Sequence, residues 1–174
     1  MTSPVSTTSK LIPNPHPMLM IRNLLFLSLA TLLLFMVSCD SKRFFEENKS
    51  VENGVWKNTR FQSFSVNISD TLSRYDLFLN VRNDGLYPYS NLYLFIHTTL
   101  PGGKKATDTV ECQLADPDGK WRGSGLGSLK FNRFLFQRGM LFPRKGIYHF
   151  DLEQAMRVND LKGIKDVGIR IEKH

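Results

Sequence analysis

The sequence predicts an all-β fold: a single β-sandwich domain, jelly-roll or immunoglobulin-like, with one short helix and a lipoprotein signal peptide ahead of it. Three observations predict it. Hydrophobic residues alternate with polar ones over several short stretches, the period of a half-buried strand. Strong turn formers separate those stretches. An apolar run near the start halts abruptly at a cysteine.

That run, Leu24 to Val37, is fourteen residues whose only hydroxyl interruptions are Ser28 and Thr31. At ~1.5 Å per residue, a helix of this length falls well short of a ~30 Å hydrocarbon core. It has the length of a signal-peptide apolar region, and Arg22 supplies the positive flank. Met36-Val37-Ser38-Cys39 resembles a relaxed bacterial lipobox. In that motif the thiol takes a diacylglyceryl group, cleavage falls before the cysteine, and the new N-terminus is acylated. Cys39 is therefore the expected lipidation site. A signal anchor or buried helix is the alternative, and the sharp halt at a small residue plus cysteine weighs against it. Acyl chains contribute about 0.8 kcal/mol per buried methylene, and more than one gives stable anchoring. The expected organisation is a signal peptide over 1–38, with Met18 or Met20 equally serviceable as its start. A lipidated tether over 39–54 and a β-sandwich over 55–174 follow. The tether is expected because Ser41 to Asn53 is polar apart from Phe44 and Phe45.

Strands are expected next, in order. Phe64, Val66 and Ile68 alternate with Ser65, Asn67 and Ser69. Tyr75, Leu77, Leu79 and Val81 alternate with Asp76, Phe78, Asn80 and Arg82. Leu92, Leu94 and Ile96 alternate with Tyr93, Phe95 and His97. Rougher patterns run through 107–115, 129–137, 146–152 and 166–172. Asn83-Asp84-Gly85 offers left-handed positions, while Pro101-Gly102-Gly103 and Asp116-Pro117-Asp118-Gly119 are strong breakers. One helix is expected where Leu152, Ala155, Met156 and Leu161 share a helical face. Asp151 and Gln154 fit a capping box, and Gly163 stops the helix.

After cleavage 136 residues would remain, enough for one domain with a real core. They hold 21 Lys and Arg against 16 Asp and Glu, a modest excess without a compact run. Nucleic-acid binding needs a clustered basic stripe, so that class is set aside; attraction to anionic head groups is the milder expectation. Cys112 is the one cysteine left once Cys39 is lipidated, so no intrachain disulfide is expected. It shares a strand face with Val110 and Leu114, as a buried structural thiol would.

Chemistry-bearing motifs are sparse. G-x-S-x-G, H-E-x-x-H, the P-loop and C-x-x-C are absent. Gly123-Ser124-Gly125-Leu126-Gly127 lacks the third glycine and the βαβ setting of a dinucleotide loop. Asp116-Pro117-Asp118-Gly119 has Gly127 where a calcium loop needs its twelfth-position glutamate. A solvated turn is the better reading. His97 and His149 lie on two proposed strands, and zinc asks for three or four ligands. No metal, no cofactor and no catalytic residue is assigned, and the chain is not expected to be an enzyme. The aromatic loop Leu86-Tyr87-Pro88-Tyr89-Ser90-Asn91 is more suggestive. Tyr87 and Tyr89, with Tyr93 on the strand beyond, could contact a partner protein or stack on sugar rings. Equally, the loop tyrosines could close one end of the core. Trp56 and Trp121 are expected in the core.

Several segments together resemble a known family. They are Asp70-Thr71, Tyr75-Asp76-Leu77, Val81-Arg82-Asn83, Tyr87-Pro88-Tyr89-Ser90-Asn91-Leu92, Leu100-Pro101-Gly102-Gly103 with Asp108-Thr109, and Gly119-Lys120-Trp121-Arg122-Gly123-Ser124-Gly125. Gly146-Ile147-Tyr148-His149-Phe150, Gln154-Ala155-Met156-Arg157 and Leu161-Lys162-Gly163-Ile164-Lys165-Asp166-Val167-Gly168-Ile169 follow. Their order from Trp56 to Glu172 resembles the gliding motility lipoprotein GldH family of Bacteroidetes. The resemblance implies a cell-envelope lipoprotein needed for gliding. It is linked to the type IX secretion machinery and has other envelope proteins as partners. It supplies no catalytic residues. Homologues occur in species that do not glide, so a secretion or envelope role is the broader expectation. Surface-exposed lipoproteins of this phylum tend to carry an acidic run after the cysteine. Asp40-Ser41-Lys42-Arg43 is not one, so the domain is expected to face the periplasm from the outer membrane.

Overall fold

The computed structural model describes residues 21–27 and 40–174. Residues 21–27 form a helical segment; most of the expected leader, and the expected lipidation site Cys39, lie outside the described residues. No helix among the described residues is long and apolar enough to cross a membrane. Ser41–His174 is a compact unit of its own.

Ten strands build that unit. They are β1 (Arg43–Ser50), β2 (Val55–Lys57), β3 (Gln62–Ile68), β4 (Tyr75–Asn83), β5 (Asn91–Thr99), β6 (Lys105–Gln113), β7 (Lys130–Met140), β8 (Gly146–Gln154), β9 (Asp160–Lys162) and β10 (Ile164–Lys173). One sheet has the order β1-β10-β4-β7, the other β3-β8-β5-β6, and β2 pairs with β9 as a short ladder. Every pairing is antiparallel. Leave out the short pair, and consecutive long strands cross between sheets except at β5–β6, which are hairpin neighbours. That interleaving is a jelly roll, which settles the choice left open between the two sandwich types.

The alternation seen in sequence is what buries the core. Phe64, Val66 and Ile68 of β3, Leu92, Leu94 and Ile96 of β5, and Tyr148, Phe150 and Leu152 of β8 point inward from one sheet. Leu77, Leu79 and Val81 of β4 and Val167, Ile169 and Ile171 of β10 meet them from the other. Each such side chain contributes about 2 kcal/mol by leaving water. Trp56 is buried in β2 opposite Leu161 of β9, and its indole N–H donates to the Arg60 carbonyl at 2.8 Å. Trp121 packs against the same core from a partly buried position.

Three expectations are corrected. The tether does not extend to residue 54, because β1 already occupies 43–50 and pairs along β10. No helix forms over 151–162. Asp151 sits in mid-strand opposite both Ser63 and His97, while Leu152 and Gln154 point inward at strand spacing. The helical spacing to Leu161 is coincidental, since Leu161 is the buried centre of β9. Helical turns within 41–174 are limited to a 3-10 turn at Glu52–Gly54. Third, the turn after β4 uses no left-handed residue at Asn83, Asp84 or Gly85. Asp84 builds it instead, its side chain accepting from Leu86 N at 2.9 Å and its carbonyl from Tyr87 N at 3.2 Å.

Candidate functional site

The strand registers define two ends of the sandwich. Chain enters at the end where Arg43 faces Glu172 and Tyr75 faces Lys173. The other end carries the loops 51–61, 84–90, 114–129 and 155–159.

The three candidate tyrosines belong to that loop end but do not act alike. Tyr87 is only 3% exposed. Its hydroxyl donates to the Asn91 carbonyl at 2.9 Å, and burial pushes its pKa upward. It therefore closes the core and is removed from the set of contact residues. Its ring supports Tyr89 edge-on, with centroids 5.6 Å apart. Tyr89 and Tyr93 keep over a third of their surface exposed.

Tyr89 and Tyr93 line a concavity of about 450 Å³ with Asn91, Ala155, Met156 and Arg157. The 155–159 loop is held against β5 by Ala155 N donating to the Tyr93 carbonyl at 2.8 Å. Gln154 reinforces it from below, accepting from Met156 N at 2.9 Å and donating to the Val158 carbonyl at 2.7 Å. The Asn91 amide donates to Glu111 at 2.8 Å. Hydrogen bonds from Asn91 and Tyr93 hold the Glu111 carboxylate below its ordinary pKa, and the same contact pushes the Tyr93 hydroxyl upward. The result is a concavity lined by aromatic and thioether side chains together with an amide and a guanidinium. The sequence places Met156 on a helix, so its meeting with Tyr89 and Tyr93 is not read from it.

The other candidates are dispersed. His97 and His149 both face outward on the β3-β8-β5-β6 sheet, each engaged by neighbours. His97 contacts Glu153 at 2.8 Å and Thr107 at 3.0 Å, and His149 contacts Ser65 at 2.9 Å. No group of three or more His, Cys, Asp and Glu poised for a metal occurs among the described residues. Asp116 is taken up by Arg122 at 2.7 Å, and Asp118 accepts from Lys120 N at 3.1 Å, so that stretch is a self-satisfied turn. Cys112 is fully buried, and burial with the Glu111 charge nearby pushes its thiol up to about 12. In the folded protein it is expected to resist a thiol reagent at pH 8 and to react only after denaturant is added. Rapid labelling in buffer would contradict this.

A family model described as GldH lipoprotein matches residues 43–171. The chain is 37% identical over 155 residues to a gliding motility lipoprotein GldH homolog of Christiangramia forsetii, covering 85% of this chain and 94% of that protein. It is 38% identical over 160 residues to the gliding motility lipoprotein GldH of Flavobacterium johnsoniae, covering 88% and 98% respectively. Among solved structures, one of infectious bursal disease virus (Gx strain) overlaps 77% of this chain and 30% of its own, with TM-score 0.33 and 9% identity. The family match and the two relatives establish the assignment: the chain belongs to the GldH lipoprotein family.

Proposed function

We propose that the chain is anchored through a lipidated Cys39, after loss of residues 1–38. Its sandwich then serves as a non-enzymatic interaction component of the gliding motility and type IX secretion apparatus. The domain faces the periplasm, held at the outer membrane. The observation that carries this reading is the Tyr89–Tyr93–Met156 concavity, displayed on the end of the sandwich away from where the chain enters. An anchor at one end and a recognition surface at the other would confine the domain to the membrane plane. That raises its effective concentration toward membrane-bound partners. Exposed tyrosines around a thioether are the residue types that dominate protein contacts.

The double variant Tyr89→Ala/Tyr93→Ala is expected to fold normally and to lose most envelope-protein crosslinks that the parent forms in solubilised membranes. Undiminished crosslinks, or intact secretion in a strain carrying Cys39→Ala, would overturn the reading. The same hollow supports a second reading, a glycan- or peptidoglycan-binding module. Tyr93 offers an exposed ring beside Asn91, Glu111 and Arg157, which is the mix of stacking face and hydrogen-bonding groups that sugars use. Sedimentation with purified cell wall separates the two. Parent and double variant pelleting equally would remove this site as a glycan site.

A further inference from the structure

The end where the chain enters has a charge and shape of its own. Its loops are 69–74, 100–104 and 141–145, joined by both ends of the folded unit. Lys42 accepts from Lys173 N at 2.9 Å, and Arg74 accepts from His174 N at 2.9 Å, so the two ends of the unit lie side by side there. The 100–104 turn abuts Gly146, and the Arg144 guanidinium lies beside Gly102, which brings the basic residues of two loops together.

Residues 41–174 carry 21 Lys and Arg against 15 Asp and Glu. Nine of those cations stand exposed at this end, against the three carboxylates Asp70, Asp76 and Glu172. The whole formal excess of the domain is therefore located here, and the rest of its surface is balanced. The carboxylates are themselves engaged. Asp70 pairs with Lys173 at 2.8 Å, Asp76 accepts from Gly139 N at 2.7 Å, and Glu172 pairs with Arg170 at 2.6 Å. Lys104, Lys105, Arg144 and Lys145 are all exposed. Apolar tips project among them: Leu72 is 91% exposed and Leu141 48%.

We infer that this end is a membrane-contact face for a bilayer bearing anionic phospholipid head groups. The inference rests on lipidation at Cys39 for its physiological setting. Cys39 is three residues from Lys42, so extended chain spans at most about 11 Å between them. An anchored domain thus keeps its basic end within reach of the head-group layer. There the cations meet phosphate charge, and they do so within a Debye length of the surface. Leu72 and Leu141 enter the interfacial zone. This docking turns the Tyr89–Tyr93 hollow away from the bilayer. The shared chemistry is charge plus two apolar tips, which a soluble anionic partner would satisfy less well because the leucines would stay wet.

The test uses the membrane-purified lipoprotein reconstituted into vesicles, with a polarity-sensitive dye on Leu72→Cys or on Leu126→Cys, its equally exposed counterpart at the loop end. Buried Cys112 stays unlabelled. In phosphatidylglycerol/phosphatidylethanolamine vesicles, the dye at position 72 is expected to shift to the blue and the dye at 126 to report water. Phosphatidylcholine vesicles, or about 0.5 M salt, should reduce the shift at 72 by half or more. The fourfold variant Lys104→Glu/Lys105→Glu/Arg144→Glu/Lys145→Glu should abolish it, whereas Lys120→Glu/Arg122→Glu should not. Aqueous emission at 72 on the anionic vesicles, or lipid-like emission at 126, overturns the inference. Failure of lipidation has a different signature: a second labelled thiol at Cys39 with the unmodified mass.

Discussion

Arg170→Met is expected to lower the stability of the sandwich by about 3–4 kcal/mol, read as a shift in the urea midpoint. Arg170 projects from the outer face of β10, yet it is only 4% exposed. Its guanidinium bonds Glu46 of β1 and Glu172 of its own strand, each at 2.6 Å. Glu46 also takes Arg133 of β7 at 2.9 Å and Asn80 of β4 at 2.8 Å, and the Asn80 side-chain Oδ1 takes Arg133 Nε at 3.0 Å. One network thus crosses all four strands of the sheet. Methionine fills the arginine stem but leaves two carboxylates without their main partner. The loss is that of two part-buried carboxylates stripped of their closest cation, Glu46 keeping only Arg133 and Asn80, so Arg170→Met/Glu46→Leu should recover a large part of it. A single-variant loss under about 0.5 kcal/mol would contradict the account. The same cluster sets part of the acid limit. Burial pushes Glu46 upward, but hydrogen bonds from Arg170 and Asn80, with the charges of Arg170 and Arg133, outweigh it and leave the pKa lowered. A carboxylate lowered on folding stabilises fully above its unfolded pKa near 4.5 and progressively less as pH falls through the folded value. The parent should therefore lose stability steeply below pH 4.5, and Arg170→Met less steeply.

The strands legible in the sequence are those whose inward positions are apolar in unbroken alternation. β3, β4 and β5 meet that condition, even with Phe78 and Phe95 facing outward, and β8 and β10 meet it more roughly. β1 does not. Phe45, Glu47 and Lys49 occupy one of its faces and Glu46 and Asn48 the other, so no apolar period marks it. It is fixed by backbone pairing with β10, more than a hundred residues away, and by the Glu46 network. A local window cannot contain either. The false helix has the opposite cause: Leu152 and Leu161 belong to two different strands, and a loop between them places Ala155 and Met156 at helical spacing. At the candidate site, exposure of Tyr89 and Tyr93 was legible from loop and strand position. The burial of Tyr87 was not, because it depends on a glycine far along the chain.

That glycine, Gly163, is the second position where a large effect is expected. It joins β9 to β10 with φ +89°, a left-handed backbone that costs an alanine about 1–2 kcal/mol. A methyl group there would also stand 2.7 Å from the Tyr87 Cα and 2.9 Å from its backbone N. Those are main-chain atoms, pinned by Asp84 N donating to the Gly163 carbonyl at 2.8 Å and by the Tyr87 hydroxyl bond to Asn91. Neither side can yield cheaply, so overpacking adds about 1–3 kcal/mol. Gly163→Ala should lose about 2–5 kcal/mol in all. Gly103 is the control: its φ is +88°, but nothing lies within 4 Å of the methyl it would gain. Gly103→Ala should therefore pay for the backbone alone, and the difference between the two variants measures the contact with Tyr87. Because Tyr87 supports Tyr89, Gly163→Ala should also weaken partner crosslinking through Tyr89 and Tyr93 in whatever fraction remains folded, while Gly103→Ala leaves it intact. Equal stability losses in the two variants would mean that the Tyr87 backbone moves freely, and that the hollow is not held by this glycine.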